Sequence, residues 1–302
     1  MALGGPRRVV VIGNFDGVHR GHQALLVEAR GDADASGLLP CVLTFQPHPA
    51  VVLGRTPPPL LTTLERRAEL LGAAGAAAVL VRRFDEAFAH WSPERFAREL
   101  LAEGLRAAVV VVGANFRFGH QRAGDLALLE AFGHAFRFTV RTATMRGDEQ
   151  GAFSSTRVRA ALGRGDVEEA ALVLGRPHSI SGRVVQGDRR GRQLGFPTAN
   201  VGEAPEMVPA HGVYAVRVDV EGADAGLPGV MNVGVRPSIG GALAPTREVH
   251  LLDWSGDLYG AHLRVHFVAR IREERRFDGL DALKAQIGAD AAEARTRLSR
   301  PG

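Results

Sequence analysis

Short apolar runs alternate with amphipathic stretches through the first half of the chain. Residues 8–12 read RVVVI, which suits a short buried strand. Residues 21–30 fit a helix, 41–45 a second strand, 64–71 a helix and 79–81 a strand. Ser92-Pro93-Glu94 opens another helix, with Ser at the N-cap and Pro at the first helical position. Residues 108–112 are an all-apolar strand and 125–132 a helix. Strands that alternate with helices and lack polar faces predict a doubly wound parallel sheet, covered on both sides.

The period changes after about residue 177. Val216, Val218 and Val220 alternate with Arg217 and Asp219. Leu263, Val265, Phe267, Ala269 and Ile271 alternate with His262, Arg264, His266 and Arg270, and Val268 breaks the pattern. Period-two alternation between Gly/Pro-rich turns predicts antiparallel strands. The second half is expected to be a β barrel or sandwich closed by a helix from about Leu280. Between the halves, Ser154-Ser155 and Asp166 fit the N-caps of two short helices, and Asp166 with Glu169 fits a capping box. The boundary falls near Arg176, giving domains 1–176 and 177–302.

Composition narrows the chemistry. With 302 residues and 45% hydrophobic content the chain can bury a sizeable core, so wholesale disorder is excluded. No apolar run reaches the roughly 18 residues that suggest a membrane span, and the N-terminus reads as a first strand rather than a signal peptide. The single cysteine, Cys41, can form neither an internal disulfide nor a cysteine metal cage, and a cytoplasmic setting is the default expectation. A net charge of +4 without a basic-aromatic run argues against a nucleic-acid partner. Small molecules are the expected partners, with room for a weak or transient homo-oligomer. Lys284 is the sole lysine, so a Walker A loop is absent and a Schiff-base lysine is disfavoured. Phosphate chemistry must use arginine, histidine, backbone amides or a metal.

Gly13-Asn14-Phe15-Asp16-Gly17-Val18-His19-Arg20-Gly21-His22 follows the first strand and opens the first helix. In a doubly wound sheet this is where ligands bind, and the helix N-terminus offers free amides to a phosphate. Gly21 permits close backbone approach. His19 and His22 can then bond the same polyphosphate, although the pair also reads as two surface histidines on a polar turn. Zinc lacks a third ligand at suitable spacing.

The segment resembles the nucleotidyltransferase superfamily with an H-x-G-H signature. The wider chain resembles bacterial bifunctional riboflavin kinase/FAD synthetase. The matching stretches are Thr44-Phe45-Gln46-Pro47-His48-Pro49, Leu61-Thr62-Thr63-Leu64, Gly113-Ala114-Asn115-Phe116-Arg117-Phe118-Gly119 and Ser154-Ser155-Thr156-Arg157-Val158-Arg159. The resemblance implies a Rossmann-like adenylyltransferase domain. It also implies that His48, Asn115, Ser155, Thr156 and Arg159 help to hold ATP and the flavin, with Gly13, Asn14, Phe15 and Asp16. Read locally, His48 is a loop residue, Asn115 a loop cap, and Ser155 and Thr156 helix caps.

Gly191-Arg192-Gln193-Leu194-Gly195-Phe196-Pro197-Thr198-Ala199-Asn200 looks like the G-F-P-T-A-N motif of flavokinases. Thr198 and Asn200 are two apart, so in an extended segment they project to one side as oxygen ligands for Mg²⁺. Gly187, Gly191 and Gly195 allow a loop over the phosphates. A kinase needs a group to accept the hydroxyl proton. The resemblance gives that role to Glu248, placed at the start of a strand in Arg247-Glu248-Val249-His250-Leu251. His250 is its rival. Phe196, Pro197, Asn232, Arg236, Asp257-Leu258-Tyr259-Gly260 and Arg275-Arg276-Phe277 also match family segments and are expected around ATP and the flavin.

His178 and Ser238 stand where tyrosine and threonine are usual, and Ala114-Asn115 replaces an acidic pair. These departures bear on substrate preference rather than reaction type. The resemblance implies phosphorylation of riboflavin to FMN, then adenylylation of FMN to FAD, with ATP-Mg²⁺. A single-activity enzyme and a flavin-binding regulator or storage protein are the competing readings. The regulator needs neither Glu248 nor the histidine pair, and both motif sets are intact.

Overall fold

A computed structural model describes residues 4–186, 195–223, 225–237, 243–275 and 277–299. They fall into two compact units. The first holds residues 4–58 and 64–153, the second 59–63 and the described residues from Ser154 on.

The first unit runs β1 (Arg8–Ile12), α1 (Arg20–Ser36), β2 (Leu39–Gln46), α2 (Pro49–Val52), α3 (Leu64–Ala73), β3 (Ala78–Arg83), α4 (Glu86–Ala89), α5 (Pro93–Arg95), β4 (Ala107–Val112), α6 (Leu126–Phe136), β5 (Thr139–Thr142) and a short hairpin, β6 (Gly147–Asp148) with β7 (Gly151–Ala152). The five-stranded sheet is parallel, in the order β3-β2-β1-β4-β5. Every residue of β1 is buried: Val9–Ile12 as an apolar run, and Arg8 with its guanidinium donating to the Leu105 carbonyl at 3.0 Å. Val10 and Ile12 pack on one face with Phe96, Leu101 and Leu129. Val9 and Val11 pack on the other with Leu26 and Ala33 of α1 and Leu71 of α3. The expected two-sided cover is present.

Helices outrun their sequence limits. The first spans Arg20–Ser36 rather than 21–30, ending at Gly37 in the left-handed region. Ser92 caps α5 as expected, accepting the Arg95 N–H at 3.1 Å. The chain then winds as a π-helix over Phe96–Gly104, which nothing in the local sequence signals.

The second unit opens with α7 (Ser155–Arg164) and α8 (Val167–Leu174). It continues with β8 (His178–Val185), β9 (Ala199–Val201), β10 (Gly212–Val220), β11 (Leu227–Pro237), β12 (Leu243–Leu251), β13 (His262–Arg272) and α9 (Leu280–Leu298). The strands close into a barrel in the order β10-β11-β12-β9-β8-β13. Leu263, Val265 and Phe267 are fully buried. Val268 breaks the alternation because α9 covers it, through a cluster with Ala291, Ala294 and Leu298.

Ser154, not Ser155, caps α7. Asp166 caps α8 by accepting the Glu169 N–H at 3.0 Å. The reciprocal half of a capping box is replaced. The Glu169 carboxylate pairs with Arg157 at 2.6 Å, and the Asp166 N–H donates to the Ala161 carbonyl. By compactness α7 and α8 belong with the barrel.

Candidate functional sites

The first site grows from the turn after β1. β1 pairs with β2 on one side and β4 on the other, so its C-terminal end is where the strand order reverses. His19 is the N-cap of the 17-residue α1. It makes no side-chain cap, and the first turn carries no acidic residue. The positive end of the helix is thus left for an external anion.

The turn is strained. Phe15 has φ +51° and Val18 φ +42°, and both side chains are buried. The left-handed region disfavours a β-branched residue, so the surrounding contacts must hold it there. Three of them converge on the turn. The Arg67 guanidinium donates to the Asn14 carbonyl at 3.0 Å and meets the Asp16 carboxylate at 3.4 Å. Thr44 donates to the same carbonyl at 3.2 Å. Asp16 is therefore engaged in fixing the loop. Arg67, far away in sequence, was not among the expected site residues, and no local pattern marks it.

The rings of His19 and His22 stack with centroids 3.6 Å apart, and Phe15 covers His22 at 4.9 Å. The His22 Nδ1 is buried without a hydrogen-bond partner among the described residues. Burial, then the charges of His19 and Arg67, hold the His22 imidazole well below its usual range. His22 is accordingly neutral at physiological pH, able to donate one N–H. A Cβ on Gly21 would lie 3.1 Å from His19 Nδ1 and 3.3 Å from the Phe153 carbonyl oxygen. Glycine keeps the His19 ring in place as well as opening the backbone.

Asn14 meets His48 Nε2 at 3.2 Å, and His48 caps α2. Gly13, Asn14, His19, Gly21, His22 and His48 are thus gathered at one edge of the sheet. Asn115 follows β4 at the same edge, exposed beside a cavity of about 380 Å³ that Arg117, Arg122 and Asp125 also line. Ser155, Thr156 and Arg159 stand on α7 of the second unit, where Arg159 donates to the Pro59 carbonyl at 2.7 Å.

The second site lies on the barrel. Ala199 is buried, and Thr198 and Asn200 flank it on the wall of a cavity of about 490 Å³. Trp254, Asp257 and Tyr259 line the same cavity. Glu248 lies well inside β12 rather than at its start. It stands directly opposite Asn200 of β9 on one side and Asn232 of β11 on the other. Three polar side chains so form one row across three strands, because cross-strand partners share a face. Val249 and Met231, one position along, are buried.

Gly195 has φ +86°, a conformation glycine alone adopts freely. The His250 Nδ1 bonds the Pro197 carbonyl at 2.8 Å, and its ring meets Phe196 edge-to-face at 5.6 Å. Arg275 donates to Gln286 of α9 and sits 4.9 Å above the Phe277 ring. Gln286 in turn donates to the buried Asp290, which also holds Arg272. Gly187, Gly191, Ser238, Arg276 and the Arg236 side chain lie outside the described residues. His178 is a core residue, bonded to the Met207 carbonyl at 2.7 Å.

Comparison with known proteins gives each half of the chain a family. The family model for FAD synthetase matches residues 5–157, and that for riboflavin kinase matches residues 174–298. The bifunctional riboflavin kinase/FMN adenylyltransferase of Pseudomonas fluorescens is 43% identical over 287 residues, covering 95% of this chain and 92% of its own. That of Escherichia coli K12 is 44% identical over 289 residues, covering 95% and 91%. The crystal structure of a macrolide-efflux protein from Streptococcus pneumoniae superposes with a TM-score of 0.85 at 31% identity, covering 97% of this chain and 95% of that one. That likeness concerns the fold.

Proposed function

The chain belongs to the bifunctional riboflavin kinase/FMN adenylyltransferase family, and from that premise we propose how its residues carry the two reactions. It makes flavin cofactors in sequence. ATP phosphorylates riboflavin to FMN, and a second ATP adenylylates FMN to FAD with release of pyrophosphate. We assign adenylyl transfer to 1–176 and the kinase to 177–302.

In adenylyl transfer an FMN phosphate oxygen attacks the α-phosphorus of ATP, and the bond to pyrophosphate breaks. The open N-terminus of α1 receives the phosphates. His22, neutral, donates an N–H to the oxygens on which charge develops, and His19 does so beside it. Gly13, Asn14, Gly21 and His48 shape this cradle, while Phe15 and Asp16 hold its turn. Asn115 reads the base or ribose, and the family resemblance gives Ser155, Thr156 and Arg159 a part in holding ATP and the flavin. Positioning suffices, and no covalent enzyme intermediate is needed.

In the kinase step Glu248 accepts the proton of the riboflavin 5′-hydroxyl as its oxygen takes the γ-phosphoryl group and ADP leaves. Mg²⁺, when bound, neutralises charge on the ATP phosphates. The Thr198 hydroxyl and the Asn200 amide oxygen would hold it. The donor set fits, being oxygen-only and few in number, on the wall of a cavity. Asn232, Arg236, Arg275, Phe196 and Pro197 shape the flavin and ATP pockets, and Gly187, Gly191 and Gly195 form the covering loop.

The observation that carries this reading is the Asn200–Glu248–Asn232 row, which sets a carboxylate between two carbonyl-bearing side chains. The test is to supply riboflavin, ATP and Mg²⁺ and to follow FMN and FAD by chromatography. Both should form, in that order, and FMN should not form when the divalent cation is chelated. A cytoplasmic enzyme fits the single buried thiol, Cys41. No helix among the described residues is long and apolar enough to cross a membrane. The reading involves no nucleic-acid or membrane partner and is compatible with a weak or transient homo-oligomer.

A further inference from the structure

His250 stands two residues beyond Glu248 on β12, so the two side chains share a face of the strand. Their partners are different parts of one motif. Glu248 faces Asn200, while His250 reaches back to Phe196 and Pro197. A carbonyl oxygen only accepts, so the His250 Nδ1 carries the hydrogen in the 2.8 Å bond to Pro197. Pro197 has no N–H, and its carbonyl is the whole hydrogen-bonding capacity of its backbone. His250 takes that group immediately before Thr198. Thr198 itself precedes β9, which begins at Ala199, so the ladder does not fix it. The Phe196–Pro197 pair is itself preceded by Gly195, whose left-handed backbone offers little restraint.

We infer that His250 is a positioning residue of the kinase site: its Nδ1–H and its ring fix the Phe196–Pro197 entry to β9 and thereby set the Thr198 hydroxyl in register with Asn200. It acts through Thr198: Nδ1 is spent on the Pro197 carbonyl, and the role of base stays with Glu248, which stands directly opposite Asn200 in the ladder. The inference rests on the assignment of Thr198 and Asn200 as the Mg-ATP ligands.

An asparagine side chain offers an N–H at the same branch point as Nδ1, whereas glutamine extends one carbon further. Three variants of the full chain are compared: H250A, H250N and H250Q. Displacement of a reacting group by about 1 Å costs up to about 10²-fold in rate. H250A and H250Q should therefore lose about 10- to 100-fold in FMN turnover and need more Mg-ATP for half-saturation, with half-saturation by riboflavin unchanged. H250N should restore most of the lost turnover. FAD formation from supplied FMN reports that each chain is folded.

H250N as inactive as H250A would mean the imidazole itself is required, and the positioning role falls. H250A with wild-type turnover and Mg-ATP dependence overturns it as well. A parallel loss of riboflavin and Mg-ATP affinity marks a merely structural role and also overturns it. If H250A fails to fold, H250N decides alone by the same criteria. N200A separates the two levels: undiminished FMN formation there refutes the ligand assignment, whatever His250 does.

Discussion

Glu248 stands directly opposite Asn200 in the β12–β9 ladder. Cross-strand partners in an antiparallel pair have Cβ atoms about 5 Å apart, so an ATP-Mg²⁺ group held at Asn200 lies within reach of the carboxylate. Glu248→Gln keeps the shape of the side chain and removes its basicity. Riboflavin and ATP should still bind, measured by calorimetry, while FMN turnover falls by about 10²-fold or more, within the usual worth of a general base. Asn200→Ala should instead raise the Mg²⁺ and ATP concentrations needed. Near-normal turnover of Glu248→Gln would sink the base assignment.

His22 sits against His19 and Phe15 at the open end of α1. His22→Ala should lower FAD formation from FMN by about 10²–10³-fold, the usual cost of one lost donor to developing charge. FMN formation by the same protein should be unchanged. Normal FAD synthesis would refute the role.

The same histidine makes a pH prediction. Its imidazole is held well below the usual value in the folded chain, by burial and then by His19 and Arg67. The unfolded chain therefore binds the extra proton first, at about pH 6.5. Stability that is present above about pH 6.5 should be lost as pH falls below it towards the folded value. His22→Gln should flatten this acid loss in urea titrations of the wild-type and variant chains. Identical pH slopes would show that His22 is not held neutral.

Arg67 and Asp16 form a buried pair at 3.4 Å, with side-chain exposures of 6% and 9%. Removing one partner of a buried pair costs roughly 3–5 kcal/mol. Asp16→Ala should lower the melting temperature and abolish FAD formation, since the strained Phe15–Val18 turn loses its anchor. Retained stability would show that the ion pair does not hold the turn.

Both halves of the fold were readable for a physical reason. The apolar runs of a two-sided parallel sheet and the alternation of a barrel strand are local patterns. So were Ser92, Ser154 and Asp166 as caps, because a cap is a contact over three residues. What sequence could not reveal is what joins distant positions. Arg67 reaches Asp16 across 51 residues, and His250 reaches Pro197 across 53. Glu248 was expected at a strand start, because its depth in β12 depends on pairing with β11, not on its own neighbours. The diversion of Glu169 from its capping box likewise depends on Arg157, one helix away.

The attachment of α7 and α8 bears on how the kinase half can be isolated. A cut near Arg176 matches the change of sequence period and the start of the riboflavin kinase match at residue 174. It also removes α8, whose Val167, Ala170, Val173 and Leu174 are essentially fully buried. Arg270 of β13 bonds into these helices as well, with its N–H on Glu168 and its guanidinium on the Arg164 carbonyl. Burial of one Val or Leu side chain contributes about 1.5–3 kcal/mol, so the cut removes several kcal/mol from a unit whose net stability is on the order of 5–15 kcal/mol. A fragment of residues 154–302 should melt cooperatively and convert riboflavin to FMN. A fragment of residues 176–302 should melt at a clearly lower temperature, with its FMN activity failing at the same temperature as its circular-dichroism signal. Equal melting temperatures for the two would show that α8 contributes nothing to the barrel. A folded but inactive 154–302 fragment would show instead that the kinase site takes a residue from the first 153.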